Sequence, residues 1–229
     1  IMPFLELGML AEKHGLCFIA DGAQACGVIP VKLSDGINIL CTAGHKALYG
    51  PTGTGLLISD GKFPITPIME GGTGSASIEL EQPDFLPDSL ESGTVNTAGI
   101  IALNAGVDFV RKLTLKKIFT HETALCRQFI SGISDLDSVI IYRERNANYL
   151  PIVLFNIKGM PSDETASALN DMGFALRGGL HCSGLAHKSL GTLPNGGVRF
   201  APSVMNSSSE VAKLVSAVRK LAASYNKKH

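Results

Sequence analysis

Two short segments carry residues whose types and spacing suit chemistry. Asp21-Gly22-Ala23-Gln24 follows the apolar run Leu16–Ala20, and Ala43-Gly44-His45-Lys46 follows the run Ile37–Thr42. In open α/β sheets, ligands bind just beyond the carboxyl ends of the strands. Taken singly, Asp21 also reads as the cap of the next turn, and Lys46 as a salt-bridged surface cation. Together they stand 25 positions apart, about one strand–connection–strand unit, which sets an acid and an amine at neighbouring strand ends. A lysine that links covalently to an aldehyde, and a carboxylate that pairs with a pyridinium nitrogen, are what pyridoxal phosphate requires.

A third candidate is Cys182. A free cysteine is usually a small buried hydrophobe, and Cys17, Cys26, Cys41 and Cys126 are expected to be that. Cys182 keeps different company: Arg177, His181, His187 and Lys188 lie close in sequence, among glycines. Glycines suggest an exposed loop, and cationic neighbours favour the thiolate, which is the nucleophilic form of cysteine. A metal site of Cys182 with His181 and His187 is the competing reading. It lacks a carboxylate or second cysteine at ligand spacing, so no metal is expected. Gly71-Gly72-Thr73-Gly74-Ser75 has the look of a phosphate loop without the following lysine; a turn at a dimer contact suits it better.

The elements that position these residues follow from patterning. Phe4, Leu5, Leu7, Leu10 and Ala11 form a helical face that stops at His14-Gly15. The runs Leu16–Ala20, Ile37–Thr42 and Gly55–Ser59 read as strands buried on both faces. Thr97 to Ser131 is helical, with a domain boundary expected near Lys112–Thr114. Beyond it come strands at Val139–Tyr142, Ile152–Ile157, Phe174–Leu176 and Gly197–Phe200, a helix at Asp163–Met172, and a last helix from Ser208 to Tyr225. Ser207-Ser208-Ser209-Glu210 supplies the cap chemistry for that last helix. The fold class is therefore α/β, with a larger unit over 1–113 and a small α+β unit over 114–229. Lys62 to Asp88 is rich in Pro and Gly, too long for an ordinary connector, and so functional or interfacial. The pairs Lys116-Lys117 and Lys227-Lys228 read as solvated helix faces.

Composition narrows the function classes. With 45% hydrophobic and 17% charged residues, the chain of 229 residues has enough apolar surface to fold. Its 20 basic and 20 acidic residues balance, which speaks against nucleic acid or an anionic membrane surface as partner. No apolar run approaches the roughly 18 residues of a membrane span. Five cysteines without paired spacing fit a reducing compartment, and no cationic stretch precedes the first apolar residues, so the expected location is cytoplasmic.

The segments DGAQ, AGHKALYGPTGTG, ESGTVNT and RGGLHC, in that order, resemble the cysteine desulfurase and selenocysteine lyase branch of the class V aminotransferases. The resemblance runs along essentially the whole chain and implies the large domain of a pyridoxal-phosphate-dependent transferase, present in part, followed by a small domain bearing the cysteine loop. It implies that Lys46 links to the cofactor and moves protons, that Asp21 holds the pyridine nitrogen, that Gln24 faces the phenolic oxygen, and that His45 contacts the phosphate. Thr94 matches a threonine that reaches the phosphate of a partner subunit, which implies a homodimer. Arg199 matches the arginine that grips the substrate carboxylate, with Arg177 beside it, and Cys182 matches the nucleophile. Relatives often have Ser or Thr where Ala43 stands here, which leaves one phosphate contact to Thr42 at best.

The implied reaction removes sulfur from L-cysteine, leaving alanine and a persulfide whose sulfur passes to an acceptor protein, such as one of iron–sulfur cluster assembly. Selenocysteine lyase activity, another class V aminotransferase activity that spares Cys182, and a non-catalytic chain that dimerises without cofactor remain the alternatives. The chain opens inside a helix that should follow an earlier strand. We therefore expect it to be a carboxyl-terminal portion of a longer protein, holding its cofactor weakly without the residue that stacks on the ring.

Overall fold

The computed structural model describes residues 1–75, 78–144 and 147–226; Lys227-Lys228 lie outside them. The chain forms two compact units, Met2–Leu115 and Lys116 onward.

In the first unit, helix α1 (Phe4–Lys13) leads into a three-stranded sheet of β1 (Ile19–Asp21), β2 (Ile39–Ala43) and β3 (Gly55–Ser59), in that order. β1 and β2 run parallel, with Asp21 opposite Cys41. β2 and β3 run antiparallel, with Ala43 opposite Gly55. The first strand is shorter than the apolar run that predicts it. The Leu16 amide closes α1 on the Ala11 carbonyl, and the Phe18 amide donates to the Asn38 side chain at 2.9 Å. Those amides are used before the ladder begins. The expectation of burial on both faces holds at Ile39 and Leu40 of β2, both buried, and fails in the flanking strands. Ile19 is 60% exposed and Leu57 51% exposed, with Leu56 and Ile58 close behind.

Helix α2 (Thr97–Leu113) is capped by Asn96, whose side-chain oxygen accepts from the Gly99 amide at 3.0 Å. Arg111 and Lys112 in its last turn suit the negative end of the helix dipole. Its buried stripe is Gly99, Leu103, Gly106 and Val110, the spacing of one helical face. The helical stretch predicted from Thr97 to Ser131 breaks at Thr114, which adopts φ +69°.

Helix α3 (Leu115–Ile133) leads into the second unit. An antiparallel sheet of β4 (Val139–Ile141), β5 (Val153–Ile157) and β6 (Val198–Phe200) is joined there by α4 (Ser162–Asp171) and α6 (Ser208–Asn226). β5 alternates strictly, with Val153, Phe155 and Ile157 inward. Phe129 of α3 meets Phe155 edge-on at 5.2 Å and Phe200 at 4.6 Å, at the centre of this core. Ser207 and Glu210 form a capping box on α6: Glu210 accepts from the Ser207 amide, and its own amide donates to the Ser207 hydroxyl. The strand predicted at Phe174–Leu176 is absent. The Phe174 amide closes α4 on Leu169, and the Leu176 amide folds back on the Phe174 carbonyl, so neither joins a ladder. Pairing starts only at Arg177, opposite Arg199, and at Gly179, opposite Gly196.

Glu122 and Cys126 stand one turn apart on the buried face of α3. Burial pushes the Glu122 carboxyl up to about 7, opposed by a bond from the Val204 amide. Burial also pushes the Cys126 thiol up to about 12, against the pull of Arg143 and with the push of Glu122. Between the ordinary carboxyl value of 4.5 and about 7, the folded protein keeps a proton that the unfolded chain has lost. Stability therefore falls as pH rises through that window, by up to about 3 kcal/mol. Urea unfolding near pH 5 and near pH 8 should show this loss in the native protein and not in Glu122→Gln; an equal loss in both would contradict it.

Candidate functional site

The parallel register of β1 and β2 brings their carboxyl ends to one edge of the sheet, so the segments that follow them emerge side by side. Asp21 ends β1 and is exposed, as are Gln24, His45 and Lys46. The Asp21 Oδ1 accepts from the Ala23 amide at 2.9 Å, so the carboxylate also braces its own turn. Lys46 makes no ion pair among the described residues. Thr42 directs its hydroxyl at the Gly22 carbonyl, at 3.5 Å, which ties it to the Asp21 turn.

Glycines bring these two turns and α2 into contact. Gly27, at φ +92°, lies against the Ala47 carbonyl, where a Cβ would collide. The lysine turn closes through the Tyr49 amide on the Lys46 carbonyl and the Gly50 amide on the Gly44 carbonyl. Behind it, Gly106 of α2 lets the Leu48 and Tyr49 backbone approach to a distance no side chain would permit. Phe109, one turn along, meets the Tyr49 ring edge-on at 5.1 Å. The spacing of Gly99, Leu103, Gly106 and Val110 was the available sequence signal for this support. Thr94 lies exposed in the turn ahead of α2.

In the second unit, the Arg177 carbonyl accepts twice: from the Arg199 amide at 2.8 Å and from the His181 ring Nε2–H at 2.9 Å. This ties the cysteine turn to β6. His181 and Cys182 both take left-handed conformations, φ +52° and +60°, which cost non-glycine residues about 1–3 kcal/mol each. Cys182 is exposed. Of the other cysteines, Cys126 is buried and Cys26 and Cys41 are half-buried, but Cys17 is exposed, contrary to expectation. Burial holds the His181 ring below its usual pKa; the bond to Arg177 works against this, and the charges of Arg199, His187 and Arg177 reinforce it. Arg199 is half-buried, and its pKa is lowered by burial and by the Arg177 charge, with the Cys182 thiolate offsetting part of the effect. Neither arginine has a carboxylate partner among the described residues. Two like charges held together, one half-buried, make a site that favours a small anion.

A short helix, α5 (Gly184–Ser189), follows Cys182; the glycine-flanked sequence gives no periodic signal for it. His187 on this helix is buried and bonded to Thr192, a residue the sequence reading does not single out. Among the described residues, no group of three or more His, Cys, Asp or Glu is arranged to hold a metal ion, and no helix is long and apolar enough to cross a membrane.

The sequence model of the aminotransferase class-V family matches residues 1–214. The chain belongs to that family. A probable cysteine desulfurase of Methanothermobacter thermautotrophicus is 29% identical over 226 residues, 95% of this chain and 56% of the relative. One from Pyrococcus abyssi is 31% identical over 94% of this chain and 55% of its own length. The solved apo cysteine desulfurase of Thermococcus onnurineus superposes with TM-score 0.84 at 30% identity, over 97% of this chain and 56% of that one. The chain thus spans about half the length of the relatives it matches. Its fold is that of the cysteine desulfurases within the pyridoxal-phosphate-dependent class V group.

The close approach at Gly106 gives a test in which two effects oppose. Helix propensity alone would make Gly106→Ala stabilising by about 0.5–1 kcal/mol. The collision with the Leu48 carbonyl should dominate and cost about 1–3 kcal/mol in urea unfolding. A stabilised variant would show that the lysine turn does not depend on this contact.

Proposed function

We propose that the protein containing this chain is a cysteine desulfurase that uses pyridoxal phosphate. The observation that carries the reading is the setting of Cys182: an exposed thiol in a left-handed turn, within electrostatic reach of Arg199, which has no carboxylate partner among the described residues. The donor set at the sheet edge suits the cofactor. Asp21 would pair with the pyridine nitrogen, Gln24 with the phenolic oxygen and His45 with the phosphate. The Lys46 amine, free of ion pairs among the described residues, would carry the covalent link. When bound, the cofactor supplies an electron sink for negative charge at the substrate Cα.

The chain's own residues have separate tasks. Lys46 takes and returns the proton at the substrate Cα. Arg199, with Arg177, receives the substrate carboxylate in the planar fork of a guanidinium. Cys182 attacks the substrate sulfur as thiolate. A sulfur–sulfur bond forms at Cys182 while the substrate's carbon–sulfur bond breaks. The electron pair stays on the carbon, which gains a proton and leaves as alanine, and the sulfur remains as a persulfide for an acceptor protein. Selenocysteine would follow the same route, with selenium in place of sulfur.

On this reading the protein is a homodimer in the cytoplasm, with Thr94 reaching the partner's phosphate site and the segment 62–88 at the subunit contact. In the holoenzyme, Lys46→Ala should abolish the borohydride-reduced cofactor adduct. Cys182→Ser should keep that adduct and lose sulfide release by at least about a hundredfold, the scale of removing a nucleophile. An adduct mapping to another lysine would overturn the cofactor assignment. Undiminished sulfide release in Cys182→Ser would overturn the desulfurase reading in favour of a class V activity that does not use this thiol.

A further inference from the structure

We propose that His187 is a positioning residue for Cys182, holding the His181–Cys182 pair in its left-handed turn through a bond to Thr192. The inference rests on reading Cys182 as the nucleophile. His187 is 3% exposed. Its Nδ1 lies 2.7 Å from the Thr192 hydroxyl, and that hydroxyl lies 3.2 Å from the His187 carbonyl. Both contacts are satisfied together when Nδ1–H donates to Thr192 Oγ1 and the Thr192 hydroxyl donates to the His187 carbonyl. The backbone repeats the link, with the Thr192 amide on the His187 carbonyl and the His187 amide on the Ser183 carbonyl. The imidazole is thereby fixed in both position and tautomer.

The fixed ring stands 5.6 Å from the His181 ring, tilted by 36°, within the range of interacting ring pairs. On its other side, the His181 Nε2 is bonded to the Arg177 carbonyl. The His181 side chain is therefore held between a backbone acceptor and an immobilised ring. Consecutive left-handed residues persist only where the surroundings over-determine them, and these two contacts restrain the His181 side chain. With His181 held, Cys182 keeps its place beside Arg199. Without His187, the turn relaxes and the thiol leaves Arg199.

The test needs neither cofactor nor substrate. The rate of iodoacetamide alkylation at Cys182, resolved by peptide mass spectrometry, is divided by the rate at exposed Cys17 in the other unit. His187→Leu and Thr192→Val should each lower this ratio about fivefold or more, the scale of one lost buried hydrogen bond. Thr192→Ser, which keeps both the ring and the hydroxyl, should stay within about twofold of the native ratio, whereas His187→Asn, which keeps an N–H near the Nδ1 position but not the ring that faces His181, should fall with His187→Leu. Far-UV circular dichroism identifies a variant that fails to fold, in which case the Thr192→Val and Thr192→Ser pair decides alone. Ratios for His187→Leu and Thr192→Val that stay within twofold of native, or rise, overturn the proposal. So does an equal fall in Thr192→Ser, since side-chain volume at this position rather than the Thr192 bond would then be at work. Sulfide release is measured separately: its absence from the native holoenzyme would count against the desulfurase reading while leaving the alkylation pattern to judge His187.

Discussion

The parallel pairing of β1 with β2 is the constraint on which the first unit's site depends. It sets Asp21 opposite Cys41, so the turns bearing Asp21 and Lys46 leave the same edge of the sheet. An antiparallel pair would send the acid and the amine to opposite ends. Several other features of that unit hold the two turns at this edge. Gly27 and Gly106 do so by giving up a side chain, Asn96 by capping the helix behind, and Phe109 by meeting Tyr49.

The second unit solves a different problem, that of presenting a thiol on a loop. One carbonyl, that of Arg177, accepts from β6 and from His181 together. The sheet thereby fixes both the arginine pair and the turn that carries Cys182. Two left-handed residues next to a nucleophile are strain of the kind found at functional sites, and the rigid core around Phe129, Phe155 and Phe200 is what can sustain it.

Much of this was legible in the sequence where residue type and spacing share one cause. Apolar runs ending in Asp21 and before Lys46 located the sheet edge, and Ser207 to Glu210 announced the start of α6. Reading failed where hydrogen bonds override pattern. Phe174–Leu176 has strand-like residues, but its amides are taken by the end of α4 and by a local turn. The run Leu56–Leu57–Ile58 is as apolar as a strand covered on both faces, yet it is exposed among the described residues. An apolar pattern reports the need for a cover and not its location. The left-handed turn at His181 and the short helix α5 had no signal at all, since both depend on contacts with Arg177 and Thr192 that sequence separation hides.

The central chemical event is the delivery of sulfur from cysteine to Cys182. It is tested most directly by peptide mass spectrometry of the pyridoxal-phosphate-loaded protein after brief exposure to L-cysteine without reductant. The expected result is the mass of one added sulfur atom on the Cys182 peptide, with alanine released. Alanine released with Cys182 unmodified, or with the added sulfur on Cys17 or another cysteine, would contradict it.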